Sequence, residues 1–183
     1  MLLPAILAGL NASGNIADYG LVPIRNRTEN TMNAAELARS CADVMWADDA
    51  ASRGLGMQLI SVEPGQAVLA MTVSAQMVNG HNICHGGFIF TLADSAFAFA
   101  CNTHNQRTVA QQGAITFINP ARRGDALVAR AIERQRVGRS GIYDVTVTRD
   151  EGFVIAEFRG HSRTIEGELV PGAQLRGALG AKV

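Results

Sequence analysis

Asp94 is the only charged residue in the run GGFIFTLADSAFAFAC that fills positions 86–101. A run apolar almost all round belongs to a buried helix. An ionised carboxylate inside it costs several kcal/mol unless it is paired or hydrogen-bonded, so packing gives little reason to keep one. The helix is entered through His85-Gly86-Gly87, where two residues without a Cβ leave backbone N–H groups open. A helix N-terminus attracts negative charge. Donors for a developing charge, with an acid downstream, are the parts of an acyl-transfer site.

Those parts need elements to hold them. Asn33 is suited to cap a helix that carries Glu36 in its first turn and Leu37, Cys41, Val44 and Met45 on its apolar side. Asp48-Asp49, then Gly54 and Gly56, close it. Residues 57–62 and 66–73 read as strands joined by the turn Glu63-Pro64-Gly65, and a loop over 74–84 leads into the buried helix, which runs from Gly86 to about Asn102. Four more strands follow, over 109–118, 126–137, 141–149 and 153–165. Asn119-Pro120, Gly138-Arg139-Ser140 and Asp150-Glu151-Gly152 separate them. Short links favour antiparallel pairing. The fold class is therefore α+β, a curved antiparallel sheet wrapped around one long buried helix. Residues 1–31 show no sustained period and read as a flexible or non-native extension. Residues 32–166 form one domain, and 167–183, broken by glycines and Pro171, a loose tail.

Composition narrows the choice of partners. Hydrophobic residues make up 48% of the 183 and charged residues 17%, while Lys plus Arg equals Asp plus Glu at 16 each. That balance offers no general polyanion-binding surface, and 5% aromatics give no stacking platform, so no nucleic acid is expected. No stretch reaches the length of about 20 apolar residues that spans a membrane. Cys41, Cys84 and Cys101 are odd in number and widely spaced, which fits a reduced, cytoplasmic compartment.

The stretch Asn79-Gly80-His81-Asn82-Ile83-Cys84-His85-Gly86-Gly87, followed by Thr91-Leu92-Ala93-Asp94 and later by Phe158-Arg159-Gly160, resembles the hotdog-fold acyl-CoA thioesterases. Within them it is most similar to the phenylacetate-degradation subgroup, over roughly residues 35–166. The resemblance implies the hotdog fold and hydrolysis of an acyl-CoA substrate without metal or bound cofactor. It also implies homodimers that pair into homotetramers. For the residues it implies that the Gly86 N–H stabilises the tetrahedral oxyanion, that Asp94 is general base or nucleophile, and that Asn79 orients water or carbonyl. The sequence does not separate the two roles of Asp94, and Asn79 could equally be an Asn-Gly turn.

Gly86 and Asp94 are eight residues apart on one helix, hence ~12 Å along its axis. If both act on one carbonyl, Asp94 must come from a second chain. A two-fold dimer with Gly86, His85 and Asn79 from one subunit and Asp94 from the other meets that condition. His85 is expected to hydrogen-bond the loop and steady Gly86, and Gly87 to border the substrate. Arg122-Arg123, Arg139-Ser140 and Arg163 suit the phosphates of coenzyme A, with solvated surface charge as an equal alternative. His81, Cys84 and His85 lack a fourth metal ligand. Cys84 and Cys101 lack a nearby base in sequence. Phe88, Phe90, Phe97 and Phe99 belong to the core, with one or two placed to line an acyl pocket. Some related thioesterases carry a small hydroxyl residue early in the strand after the helix; Ala110-Gln111-Gln112-Gly113 supplies none. The rival functions are a non-catalytic acyl-CoA-binding module and a hotdog dehydratase or hydratase.

Overall fold

A computed structural model describes residues 31–149 and 152–176. Its first helix, α1 (Ala34–Asp48), begins with a reciprocal cap. Asn33 Oδ1 accepts from the Glu36 N–H at 2.8 Å, and the Glu36 carboxylate accepts from the Asn33 N–H at 2.8 Å. Its buried face is Leu37, Ala38, Cys41 and Ala42, so Val44, expected inward, points to solvent. A second helix, α2 (Ala50–Gly54), follows at once. Asp49 starts it by accepting from the Ser52 N–H at 2.9 Å, where closing signals alone were expected. Five residues are too few to show a helical period.

Strands β2 (Gln58–Glu63) and β3 (Gln66–Thr72) form a hairpin around Gly65, whose φ of +72° suits a residue without a Cβ. The loop after β3 contains a single 3₁₀ turn, Ala75–Met77, and leads to the long helix α3 (Gly86–Cys101). Strands β4 (Thr108–Phe117), β5 (Ala126–Val137), β6 (Ser140–Arg149) and β7 (Phe153–Thr164) complete a six-stranded sheet in the order β2-β3-β5-β6-β7-β4, antiparallel throughout. The turn expected at Asp150-Glu151-Gly152 lies largely outside the described residues.

Helix α3 lies along the inner face of this sheet. Its Ile89, Leu92, Ala93, Ala96, Phe97, Phe99 and Ala100 are buried against β3, β5, β6, β4 and β7. Glycines let rings fill the contact. A Cβ on Gly113 of β4 would stand 2.9 Å from the Phe158 ring and 3.2 Å from that of Phe90, and one on Gly160 of β7 would stand 2.9 Å from the Phe97 ring. Beyond the C-terminal end of α3, Glu133 accepts from the buried Tyr143 hydroxyl at 2.7 Å and lies 2.8 Å from His104 Nε2. Burial pushes the Glu133 carboxyl up, but these hydrogen bonds outweigh it and hold the group below its usual range.

The loose tail expected from residue 167 does not hold for 167–176. Asn105, buried and at φ +57°, accepts through Oδ1 from the N–H groups of Leu169 (3.1 Å) and Val170 (2.7 Å), while its Nδ2 donates to the Val170 carbonyl at 3.0 Å. Beyond this pin, β8 (Gln174–Leu175) pairs in parallel with β1 (Thr31–Met32). A side-chain amide supplies what a strand would, which gives no periodic signal in the sequence. Residues 1–30 and 177–183 lie outside the described residues. Asn105→Ala removes the three hydrogen bonds to Leu169 and Val170 and the weak one from the Cys41 thiol, and leaves in the left-handed region a residue less suited to it than asparagine, a loss of about 3 kcal/mol. Urea denaturation should show the loss, and limited proteolysis should cut the variant within 167–176 before the wild type.

Candidate active site

The loop before α3 is built by short-range hydrogen bonds. Asn79 and Asn82 close a turn (Asn82 N–H to Asn79 carbonyl, 2.9 Å), and the Asn79 N–H returns to the Ile83 carbonyl at 2.9 Å. The Asn79 side chain takes part, since Oδ1 accepts from the His81 N–H at 2.9 Å and the Ile83 N–H at 3.4 Å. Its oxygen braces the loop, its NH2 has no hydrogen-bond partner among the described residues, and the residue lines the wall of a cleft. Two further bonds tie the loop down, from the His85 N–H to the Met77 carbonyl and from the Cys84 N–H to the Ala121 carbonyl, each 2.8 Å.

His85 is the N-cap of α3. Its Nδ1 accepts from the Gly87 N–H at 3.0 Å, which puts the ring proton of the neutral imidazole on Nε2. The Phe88 N–H bonds the His85 carbonyl at 3.0 Å. Among the described residues nothing accepts from the Gly86 N–H. It alone stays open, at the positive end of a 16-residue helix. Gly87, expected to border the substrate, has its N–H committed to His85 and cannot be a second open donor.

Gly86 faces an open cleft of about 520 Å³ lined by Asn79, Ile83, Cys84, Ile89, Phe117, Ile118, Asn119 and Pro120. The lining is apolar apart from the amides of Asn79 and Asn119, and Asn119 spends its NH2 on the Val154 carbonyl at 2.8 Å. Phe117, the last residue of β4, rests on Gly86. A Cβ there would lie 2.7 Å from its ring tip. No local pattern foretold this meeting of two residues 31 positions apart. None of Phe88, Phe90, Phe97 and Phe99 lines the cleft. Phe97 and Phe99 are core, Phe90 packs edge-on to Phe158 at 5.3 Å, and Phe88 leans on His85.

Asp94 is not in the cleft. It lies on the one incompletely covered stripe of α3, with Gly87, Thr91 and Ala98, and is half-buried rather than enclosed. Among the described residues it has no hydrogen-bond or ion-pair partner, and burial pushes its carboxyl above the usual aspartate range. Beside it, Ser95 meets Ser52 of α2, oxygen to oxygen, at 3.0 Å. The cysteines are poor nucleophiles. Burial first, then the charge of Asp125, raises the Cys84 thiol, and burial chiefly pushes Cys101 up to about 12.

The five candidate phosphate-binding residues divide into two groups. Arg122 and Arg123 are exposed, two and three positions past Pro120 on the cleft rim, and Asp125 fixes their loop by accepting from the Arg122 N–H and from Arg149. Arg139, Ser140 and Arg163 cluster elsewhere, with Arg139 donating to the Thr164 carbonyl (3.0 Å) and Arg163 to Ser140 Oγ (3.2 Å). Arg163 pairs in register with Val109, eight residues from Phe117 along β4 and so ~27 Å away. Gly160 and the buried Ser162 face α3, so the alternation of β7 turns Arg163 to the opposite side of the sheet. This group does not border the cleft of its own chain.

A family model described as the thioesterase superfamily matches residues 81–156. The chain is 43% identical over 128 residues to acyl-coenzyme A thioesterase PaaI of Escherichia coli (strain K12), covering 70% of this chain and 91% of the relative. The structure of the E. coli PaaI protein from the phenylacetic acid degradation operon superposes with a TM-score of 0.73 at 41% identity, over 74% of this chain and 99% of that one. A mutant of phenylacetic acid degradation protein PaaI from Thermus thermophilus superposes with a TM-score of 0.62 at 36% identity, over 64% and 100%.

A carboxyl whose pKa is raised by the fold holds its proton more tightly folded than unfolded. Its effect on stability is therefore most favourable at acid pH and is lost as pH rises through the raised value. Asp94→Asn should thus melt at the same temperature as the wild type or higher at pH 7.5. A clear fall in melting temperature would mean that the carboxylate braces the fold.

Proposed function

The chain belongs to the thioesterase superfamily, and from that premise we propose that it hydrolyses acyl-CoA thioesters of the arylacetyl type, such as hydroxyphenylacetyl-CoA. The observation that carries the proposal is the open Gly86 N–H at the start of α3, set in an apolar cleft with the Asn79 amide beside it. The thioester carbonyl oxygen sits at these donors and takes up negative charge as its carbon becomes tetrahedral. Asp94 either removes a proton from the attacking water or attacks the carbonyl itself. In both routes the C–S bond breaks, the sulfur leaves with a proton as coenzyme A, and water supplies the oxygen of the released acid. Arg122 and Arg123 meet the coenzyme A phosphates at the rim.

The ~12 Å along α3 between Gly86 and Asp94 makes the site a property of two chains. Two surfaces support a two-fold homodimer. Among the described residues strand β4 is an open edge, with Val109 46% exposed, and the stripe of α3 that carries Asp94 lacks cover. Pairing β4 edges and stripes of two copies buries both and brings each Asp94 toward the other chain's Gly86. Such dimers then pair as tetramers, in a reduced cytoplasmic compartment that keeps the three cysteines free. A binding-only module has no use for an unpartnered carboxylate. His85, the obvious dehydratase residue, uses Nδ1 as a helix cap.

Release of free thiol from a panel of acyl-CoAs tests the reaction, with arylacetyl thioesters expected to turn over best. On the acid side, kcat/KM should fall as Asp94 protonates, with a midpoint above the ordinary aspartate value of about 3.9, because burial raises that carboxyl. Asp94→Asn should lose at least about a hundredfold in kcat.

Mixed dimers test the shared site. Asp94→Ala and Gly86→Pro subunits should each be inactive alone and should together form one intact site per heterodimer. Both homodimers must first be shown to fold by circular dichroism, since the proline ring has to displace Phe117. Purified heterodimers as inactive as their parents would refute the two-chain site.

A further inference from the structure

We infer that Phe117 is the specificity-determining residue of the cleft, the wall against which the aromatic ring of the acyl group packs. The inference rests on the acyl-CoA reading and adds to it the residue that selects the acyl group. Among the described residues Phe117 is the only aromatic side chain lining the cleft, and it sits beside the open donor, its ring tip over the Gly86 Cα. Its inward-facing neighbours on β4 are already used, Gly113 under Phe90 and Phe158, and Ile115 against the core. Phe117 is not used up in this way. About half of its surface is open although its strand neighbours pack inward.

Position decides what that surface contacts. A carbonyl oxygen bonded to the Gly86 N–H would lie in the same cleft as the Phe117 ring, which rests on that residue, so its acyl substituent can reach the ring. Ile83, Ile89 and Ile118 close the other sides with aliphatic surface. An aryl group held there gains a ring–ring contact beyond simple burial, whereas a short alkyl chain gains only apolar area. The absence of a side chain at Gly86 thus has a packing cause as well as a chemical one, because any Cβ there displaces the wall.

The test compares phenylacetyl-CoA with butyryl-CoA in the wild-type enzyme and in Phe117→Leu and Phe117→Met, which keep apolar bulk over Gly86. We expect KM for phenylacetyl-CoA to rise about tenfold in both variants, with kcat within twofold. Both constants for butyryl-CoA should stay within twofold. The same loss for both substrates, or a fall in kcat alone, would show that the ring only braces the helix start and would overturn the inference. No change for phenylacetyl-CoA would overturn it as well. If the wild type hydrolyses neither thioester, the acyl-CoA hydrolase reading fails on its own. The role of Phe117 is then decided by calorimetry with the non-hydrolysable thioether phenylethyl-CoA. Binding about tenfold weaker in Phe117→Leu supports the role, and equal binding refutes it.

Discussion

A helix with no polar face has to be covered on every side, and the described residues cover α3 on all sides but one. The sheet takes most of the helix, α1 and α2 flank it, and the remaining stripe holds Gly87, Thr91, Asp94 and Ala98. Much of the structure follows from that geometry. Six antiparallel strands are needed to curve around a rod about 24 Å long. The sheet ends on β4, whose outer edge has no strand partner among the described residues. The only carboxylate of the helix falls within the uncovered stripe, where it has no partner among the described residues.

The same economy shapes the helix start. Of the N–H groups that open α3, that of Gly87 is capped by His85 and that of Phe88 is returned to the His85 carbonyl, which leaves Gly86. A cap normally satisfies whichever donors it can reach. The histidine accepts from the second N–H of the helix, as cap side chains do, and the first is left open. Asn79 divides its side chain in a similar way, the oxygen given to the loop and the nitrogen without a hydrogen-bond partner among the described residues.

Most of the fold was legible in the sequence because periodicity reports burial. The capping box at Asn33, the β2–β3 hairpin, the span of α3 and the strands β5 to β7 all followed from residue pattern and turn chemistry. Three features did not. The helix α2 is shorter than two turns, the segment 167–176 is held by one asparagine, and Val44 falls one step off the buried stripe. Among the candidate residues, Gly86, His85 and Asp94 stood out in the sequence by composition at and after the helix start, and Asn79 only through the resemblance. Phe117 did not. An aromatic residue at the end of a strand is ordinary, and only the folded chain sets it over Gly86. The Arg139-Ser140-Arg163 group looked equivalent to Arg122-Arg123 because charge type alone does not tell one sheet face from the other.

The glycines under α3 have a consequence for the accuracy of assembly. Gly86 under Phe117, Gly113 under Phe90 and Phe158, and Gly160 under Phe97 are three matched sockets at fixed stations along helix and sheet. Purely apolar contact would allow a greasy helix to slide, because many offsets bury nearly the same area. Here a shift by one helical turn of about 5.4 Å would carry each ring off its socket and onto a neighbour that has a Cβ. The sockets act as a vernier that admits one offset. The open Gly86 N–H is thereby placed by a mechanical index set along the whole helix, as well as by the loop that precedes it.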